Sequence, residues 1–324
     1  MSDQEHTPRE PEQNISIAQE DMGTPDPAFG TWDSDATTNA PAELFQSFSQ
    51  PVAISSARIP HLGHLCLLLA FMLFGFVCMV VLMFTAMYFH LDGVTNPDQI
   101  KTNVHYLLGS EAVLYLVTLA LSFPLFPLLW NKSFFAGIHW RGATALQLGW
   151  RLPAIALGCF VLAAIDDKLL PGPEHAPIEE IFRSPGAAWL MFGFGVTLAP
   201  FFEEIVFRGF LLPALATAWD WAIEKSTGKP ARPLDATGHP HWSIFAMVLA
   251  SIATSLPFAM MHAEQTGHSL GPFLLLIAVS LVLCAVRLVT RSLAASTLVH
   301  ACYNFLLFST MLIGTGGFRH FDKM

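Results

Sequence analysis

The chain has 324 residues, 53% of them hydrophobic and only 13% charged, with a mean hydropathy of +0.50. Soluble globular domains carry about 25% charged residues, so that class is excluded. The net charge of −9 is lopsided: residues 1–60 hold ten acids against Arg9 and Arg58, and the remaining basic residues are scattered between apolar runs, which excludes a basic nucleic-acid-binding face.

Residues 1–60 also contain seven prolines and many Ser, Thr, Gln and Asp, with no basic region leading into an apolar core. They read as a disordered acidic tail, not a signal peptide. The rest, 61–324, reads as one transmembrane helical domain. Seven apolar runs follow one another, each long enough for the roughly 20 helical residues that cross a bilayer core of about 30 Å. They are approximately Leu65–Phe89, Val104–Trp130, Ala145–Ile165, Ala187–Leu215, Ser243–Met261, Pro272–Val289 and Leu293–Ile313. The third carries Arg151 and Pro153 near its start and the fourth has Pro200 inside it, so the count is bracketed at six to eight. The expected fold is an all-α polytopic membrane bundle, because lipid offers the backbone no hydrogen-bond partner and the runs lack the alternation of barrel strands. Pro124 and Pro127 are expected to kink the end of the second helix. The five cysteines, Cys66, Cys78, Cys159, Cys284 and Cys302, all lie in apolar runs and read as buried free thiols.

Counting Lys and Arg near the segment ends gives nine on the side of the N-terminus and five on the other. This bias places the N-terminus inside. The chain is therefore expected to be an integral membrane protein of a prokaryotic inner membrane, with a cytoplasmic N-terminus.

Charged groups inside apolar runs cost about 2.5–3.5 kcal/mol each on insertion scales, so each one marks a candidate site. Three clusters qualify. The first is Pro200-Phe-Phe-Glu203-Glu204-Ile-Val-Phe-Arg208-Gly209. Glu204 and Arg208, four apart, share a helical face and can neutralise each other. Glu203 points about 100° away and has no partner in its own helix. It must pair on another helix or hold a proton, which suits a general base in a dry site. The second cluster is Phe258-Ala-Met-Met-His262 and the third is His300-Ala-Cys-Tyr-Asn304. Each presents two side chains at i and i+4 as one stripe. A lone intramembrane His or Asn commonly serves only as polar glue between helices; what argues for chemistry is convergence of all three clusters on one site. Glu179, Glu180 and Arg183 read as a solvated loop, and Glu111 as interfacial or facing the site. His262 and His268 are six apart, the wrong spacing for a one-face zinc pair.

Taken in order, Glu203-Glu204-x-x-x-Arg208, Phe258-x-x-x-His262 and His300-x-x-x-Asn304 resemble the three motifs of the CPBP family, the CAAX-protease and bacteriocin-processing (Abi) family, which includes the type II CAAX prenyl endopeptidases. The resemblance covers about residues 187–314 and has all its motif positions intact. It implies an intramembrane glutamate-dependent endopeptidase acting on a peptide or a membrane protein within the bilayer. Carried over, Glu203 and His262 would activate water, His300 and Asn304 would stabilise the oxyanion, and Glu204, Arg208 and Phe258 would support them. A metal-dependent variant would use Glu203, His262 and His300 around zinc. Asn304 suits a hydrogen-bond donor better than a zinc ligand, so no cofactor is expected. Two other classes fit the polar groups: a non-enzymatic membrane scaffold, and a proton-coupled transporter, disfavoured by the lack of paired half-repeats. Simple up-and-down alternation leaves one tension, because it sets Glu203 and His300 nearer the N-terminal side and His262 at the far end of its helix.

Overall fold

The computed structural model describes residues 58–100, 103–170, 185–235 and 238–318. Nearly all of the acidic N-terminal segment, and Glu179, Glu180 and Arg183, lie outside them. Among the described residues the fold is helical, without a strand; a single bridge joins Leu234 to Pro240. Six helices are long and apolar enough to cross a membrane, seven if a bent pair counts as one span, which matches the expected all-α membrane bundle.

The chain enters through α1 (Leu62–Tyr88) and returns through α2 (Val104–Trp130). Gly75 lets these two approach closely: a Cβ there would sit 3.0 Å from the Leu114 carbonyl. The α2 helix runs on through Pro124 and Pro127 to Trp130. Next comes the bent pair α3 (Gly142–Leu148) and α4 (Arg151–Leu169), meeting at 76°. The expected third segment therefore splits. The break is at Gly149, whose φ of +50° glycine adopts without a Cβ clash, and not at Pro153, which sits harmlessly in the first turn of α4.

The fourth segment also differs from expectation. It is a continuous apolar helical path to Thr227, made of α5 (Pro185–Val196), α6 (Leu198–Glu204), a π-helical stretch Ile205–Leu211 and α7 (Leu212–Thr227). The break falls at Thr197, three residues before Pro200, because the proline ring displaces the carbonyl one turn earlier and is itself tolerated in a first turn. Helices α8 (Ile244–Met261), α9 (Leu270–Thr290) and α10 (Leu293–Gly314) complete the bundle. Ser243 and Ser292 cap α8 and α10 through their hydroxyls, and Asp220 on α7 holds Ser243 in place with bonds of 2.6 and 2.9 Å.

The core falls into two main clusters. One joins α1, α2 and the α6–α7 path through Phe126, Trp130, Phe202 and Phe210; the other joins α4, α9 and α10 through Leu152, Leu283 and Val299. All five cysteines are free, but only Cys159 and Cys284 are buried; Cys66 is exposed. In a bilayer an apolar run has a lipid-facing side as well as a core side, which hydropathy alone cannot separate.

One feature positions the site. The connection 131–141 folds beneath the start of α10: Phe134 and Ile138 are buried, and the His139 carbonyl accepts the backbone N–H of Leu293 at 3.1 Å. The α9–α10 turn is therefore recessed into the protein, with Ser292 and Leu293 fully buried.

Candidate active site

The π-helical stretch follows directly on Glu203 and Glu204, and such segments insert an extra residue into the helical register, often at functional sites. Here both carboxylates are buried, although they point in different directions. Glu204 is paired through Oε1, which receives Arg208 Nη1 at 2.8 Å and His300 Nδ1 at 3.2 Å; its Oε2 is buried without a hydrogen-bond partner. Arg208, equally buried, also donates Nη2 to the Ser280 hydroxyl at 2.6 Å and to its carbonyl at 3.2 Å. The expected i,i+4 pair is thus present and anchored to α9.

Glu203 finds its neighbours on other helices, as the missing intrahelical partner requires. Its Oε2 faces His262 Nε2 at 3.9 Å and His300 Nε2 at 3.8 Å. Those distances are too long for direct hydrogen bonds and suit a small molecule between the groups. Oε2 is buried without a hydrogen-bond partner.

The tautomers follow from the other ring nitrogens. His262 Nδ1 lies 2.9 Å from the Phe258 carbonyl, which can only accept, so Nδ1 carries the proton. His300 Nδ1 likewise donates to Glu204. In the neutral rings both Nε2 atoms are then acceptors. Two imidazole acceptors and one carboxylate oxygen surround a common space that calls for a donor, such as the O–H groups of water.

Phe258 is the floor of this space. Its ring lies 4.5 Å from the Arg208 guanidinium, 4.9 Å from the His262 ring and 5.8 Å from the His300 ring. It shields the ion pair from water, meets the His300 ring edge to face and lies tilted against that of His262.

Six of the expected residues, Glu203, Glu204, Arg208, Phe258, His262 and His300, therefore converge. Asn304 lies one turn along α10 from His300, and its Nδ2 donates at 2.8 Å to the Gly195 carbonyl, which the break at Thr197 leaves free of an intrahelical partner. It bridges α10 to the broken fourth segment. Among the described residues, no group of three His, Cys, Asp or Glu side chains is arranged to hold a metal ion.

The depth tension resolves through the recessed turn. His262 is the C-cap of α8, about 18 residues after Ile244, while His300 is about seven after Leu293. Both still reach Glu203. The starts of the two helices are staggered by roughly 16 Å, at 1.5 Å per residue, which simple alternation with level helix ends does not allow for.

Sequence reasoning missed Ser280, one hydroxyl in a long apolar run with nothing to mark it. It also missed Tyr115, which stacks on Phe202 at 3.9 Å beside Glu203. Glu111, half-buried on α2, lies within electrostatic reach of Glu203.

Residues 185–306 match the family model described as type II CAAX prenyl endopeptidase Rce1-like. Neither a curated protein nor a solved structure matches the chain. The matched segment runs from the start of α5 to within α10 and contains every motif residue from Glu203 to Asn304. The match supports an intramembrane endopeptidase of the CAAX type in general, and the long apolar helices support an integral membrane protein.

Proposed function

We propose that the chain hydrolyses a peptide bond by glutamate-dependent water activation, without a metal. The observation that carries this reading is the pair of imidazole Nε2 atoms facing the unpartnered, buried Oε2 of Glu203. Water between these groups gives one proton to Glu203 while its oxygen attacks the carbonyl carbon of the substrate. His262 orients the water through Nε2. The carbonyl oxygen becomes an oxyanion, which the free amide N–H of Asn304 stabilises, while His300 Nε2 holds the water beside that of His262. Glu203 then passes its proton to the departing amine nitrogen as the C–N bond breaks, leaving an amine and a carboxylic acid that gives its remaining proton to solvent. Glu204, Arg208 and Ser280 hold His300 in place.

The substrate is a peptide segment of a membrane-associated protein, and the nine-to-five bias of basic residues supports a cytoplasmic N-terminus in a prokaryotic inner membrane. The test is cleavage of a quenched fluorescent peptide panel by purified protein in detergent, comparing wild type with Glu203→Gln, with and without chelator. Turnover that survives chelation and disappears in the variant is expected. Turnover abolished by chelator and restored by zinc would replace this mechanism with the metal-dependent one. Turnover unchanged in Glu203→Gln would reject both.

A further inference from the structure

The last turn of α9 buries a second arginine that the hydrolytic site does not use. Arg287 is 1% exposed, and its Nε, Nη1 and Nη2 all lack a hydrogen-bond partner. Other arginines of the chain are matched: Arg208 by Glu204, Arg58 by Glu224 at 2.6 Å and Arg291 by Asp235 at 2.9 Å. Among the described residues, Arg287 has no carboxylate within ion-pair distance. A guanidinium held in this state is costly, because its five donors have lost water and gained nothing.

Its surroundings point to what is missing. His139, after α2, and His239, before α8, meet edge to face with ring centroids 4.6 Å apart, and both are buried. His139 Nδ1 and His239 Nε2 are also without partners. Burial, followed by the charge of Arg287, lowers both imidazoles, His139 to about 3 and His239 to about 4. Arg141 and Lys132 add positive charge at His139. The nearest acid to His239 is Asp235, already engaged by Arg291. The pocket is short of one anion.

Of the three, His239 lines an open cavity of about 780 Å³ between α8 and α9, and Arg287 and His139 lie behind it. Met247, Ile252, Leu281 and Leu288 form its apolar walls, and His241 and Arg291 stand with His239 at the end where α8 starts and α9 stops. From Leu281 to Arg291 it runs roughly 15 Å along α9, about half the hydrocarbon thickness of a bilayer. An apolar slot of one-leaflet depth, with imidazoles and cations at its interfacial end, has the shape and polarity of one phospholipid, and basic pockets between membrane helices bind anionic headgroups.

We propose that Arg287, His139 and His239 form a binding site for a phosphate oxyanion, carried by an anionic phospholipid whose acyl chain occupies the α8–α9 cavity. The phosphate oxygens accept from the Arg287 guanidinium, and its charge favours a proton on the imidazole nitrogens that now lack partners. The site is separate from Glu203, and its test does not rely on proteolysis.

Purified full-length protein in detergent is followed by thermal unfolding and native mass spectrometry with three probes: phosphatidylglycerol, phosphatidylcholine of the same acyl chains, and inorganic phosphate. Phosphatidylglycerol is expected to raise the unfolding temperature and to remain bound, while phosphatidylcholine does neither. Arg287→Met, which removes the unmatched charge and keeps the volume, is expected to bind phosphatidylglycerol about tenfold more weakly or worse while unfolding no earlier than wild type without lipid. If Arg287→Met does not fold, His239→Gln carries the same comparison. Stabilisation by millimolar inorganic phosphate, lost in the variant, would support the oxyanion site with solution as its source. An undiminished phosphatidylglycerol shift in both variants, or equal shifts from both lipids in wild type, would overturn the proposal.

Discussion

Glu203 and Glu204 are adjacent in the chain and opposite in circumstance. Glu204 is held through one oxygen by Arg208 and His300, whereas Glu203 keeps an oxygen directed at two imidazoles. Glu203→Gln preserves size and hydrogen bonding and removes the base, so turnover should fall by at least about 100-fold with the unfolding temperature little changed. Arg208→Met should instead act on stability: it strands a buried carboxylate and is expected to cost about 3–5 kcal/mol. The double variant Glu204→Met/Arg208→Met should recover much of that loss without recovering activity, because His300 has lost its anchor. Chemical denaturation in detergent measures both, and a double variant less stable than Arg208→Met would count against the pairing. The pair was legible in the sequence because i and i+4 spacing on a helix implies contact. The orphan status of Glu203 was legible for the same reason. Ser280 was not, since a single hydroxyl among apolar residues means nothing until the fold sets it 72 residues away against Arg208.

At the scale of elements, the break at Thr197 and the π-helical stretch that follows Glu204 bracket the two carboxylates. The break frees the Gly195 carbonyl for Asn304, and Gly195 itself is packed so that a Cβ would come within 2.7 Å of the Phe308 ring. Gly195→Ala should therefore push α5 away from α10, costing about 1–3 kcal/mol and lowering kcat more than KM. A variant with wild-type kcat would show that this contact does not position the site. Asn304→Leu removes the same bridge by a different route, and interhelical hydrogen bonds in membranes average about 0.6 kcal/mol, so its effect should appear in kcat before it appears in stability. Hydropathy found every helix but drew the fourth too short and the third too straight. Both discrepancies come from backbone chemistry: apolar content says how far a segment stays in lipid, while Thr197 and Gly149 decide where it bends.

The whole molecule is organised around the recessed α9–α10 turn, which hydropathy could not reveal because it reads apolar length and not what packs against a helix start. The buried His139 and His239 lie beside it. Burial depresses both imidazoles from the usual 6.5, so the unfolded chain takes up protons that the folded one refuses. Their contribution to stability is fully present above pH 6.5 and drains away as pH falls toward 4. The unfolding temperature in detergent should drop over that window, and His139→Asn/His239→Asn should flatten the drop. Asn also suits the φ of +58° at His139. A slope unchanged in the double variant would assign the pH response to other groups.

The long reach between Glu204 and His300, 96 positions apart in the chain, also sets an order of events during synthesis. The ribosome delivers the two carboxylates to the bilayer well before it has made the helix that supplies the second imidazole. Until α10 emerges and seats against the connection 131–141, the nascent chain holds a glutamate without its full complement of partners. Hydrolytic competence arrives with the final helix, so an interrupted or truncated product is a membrane protein that cannot cut its neighbours.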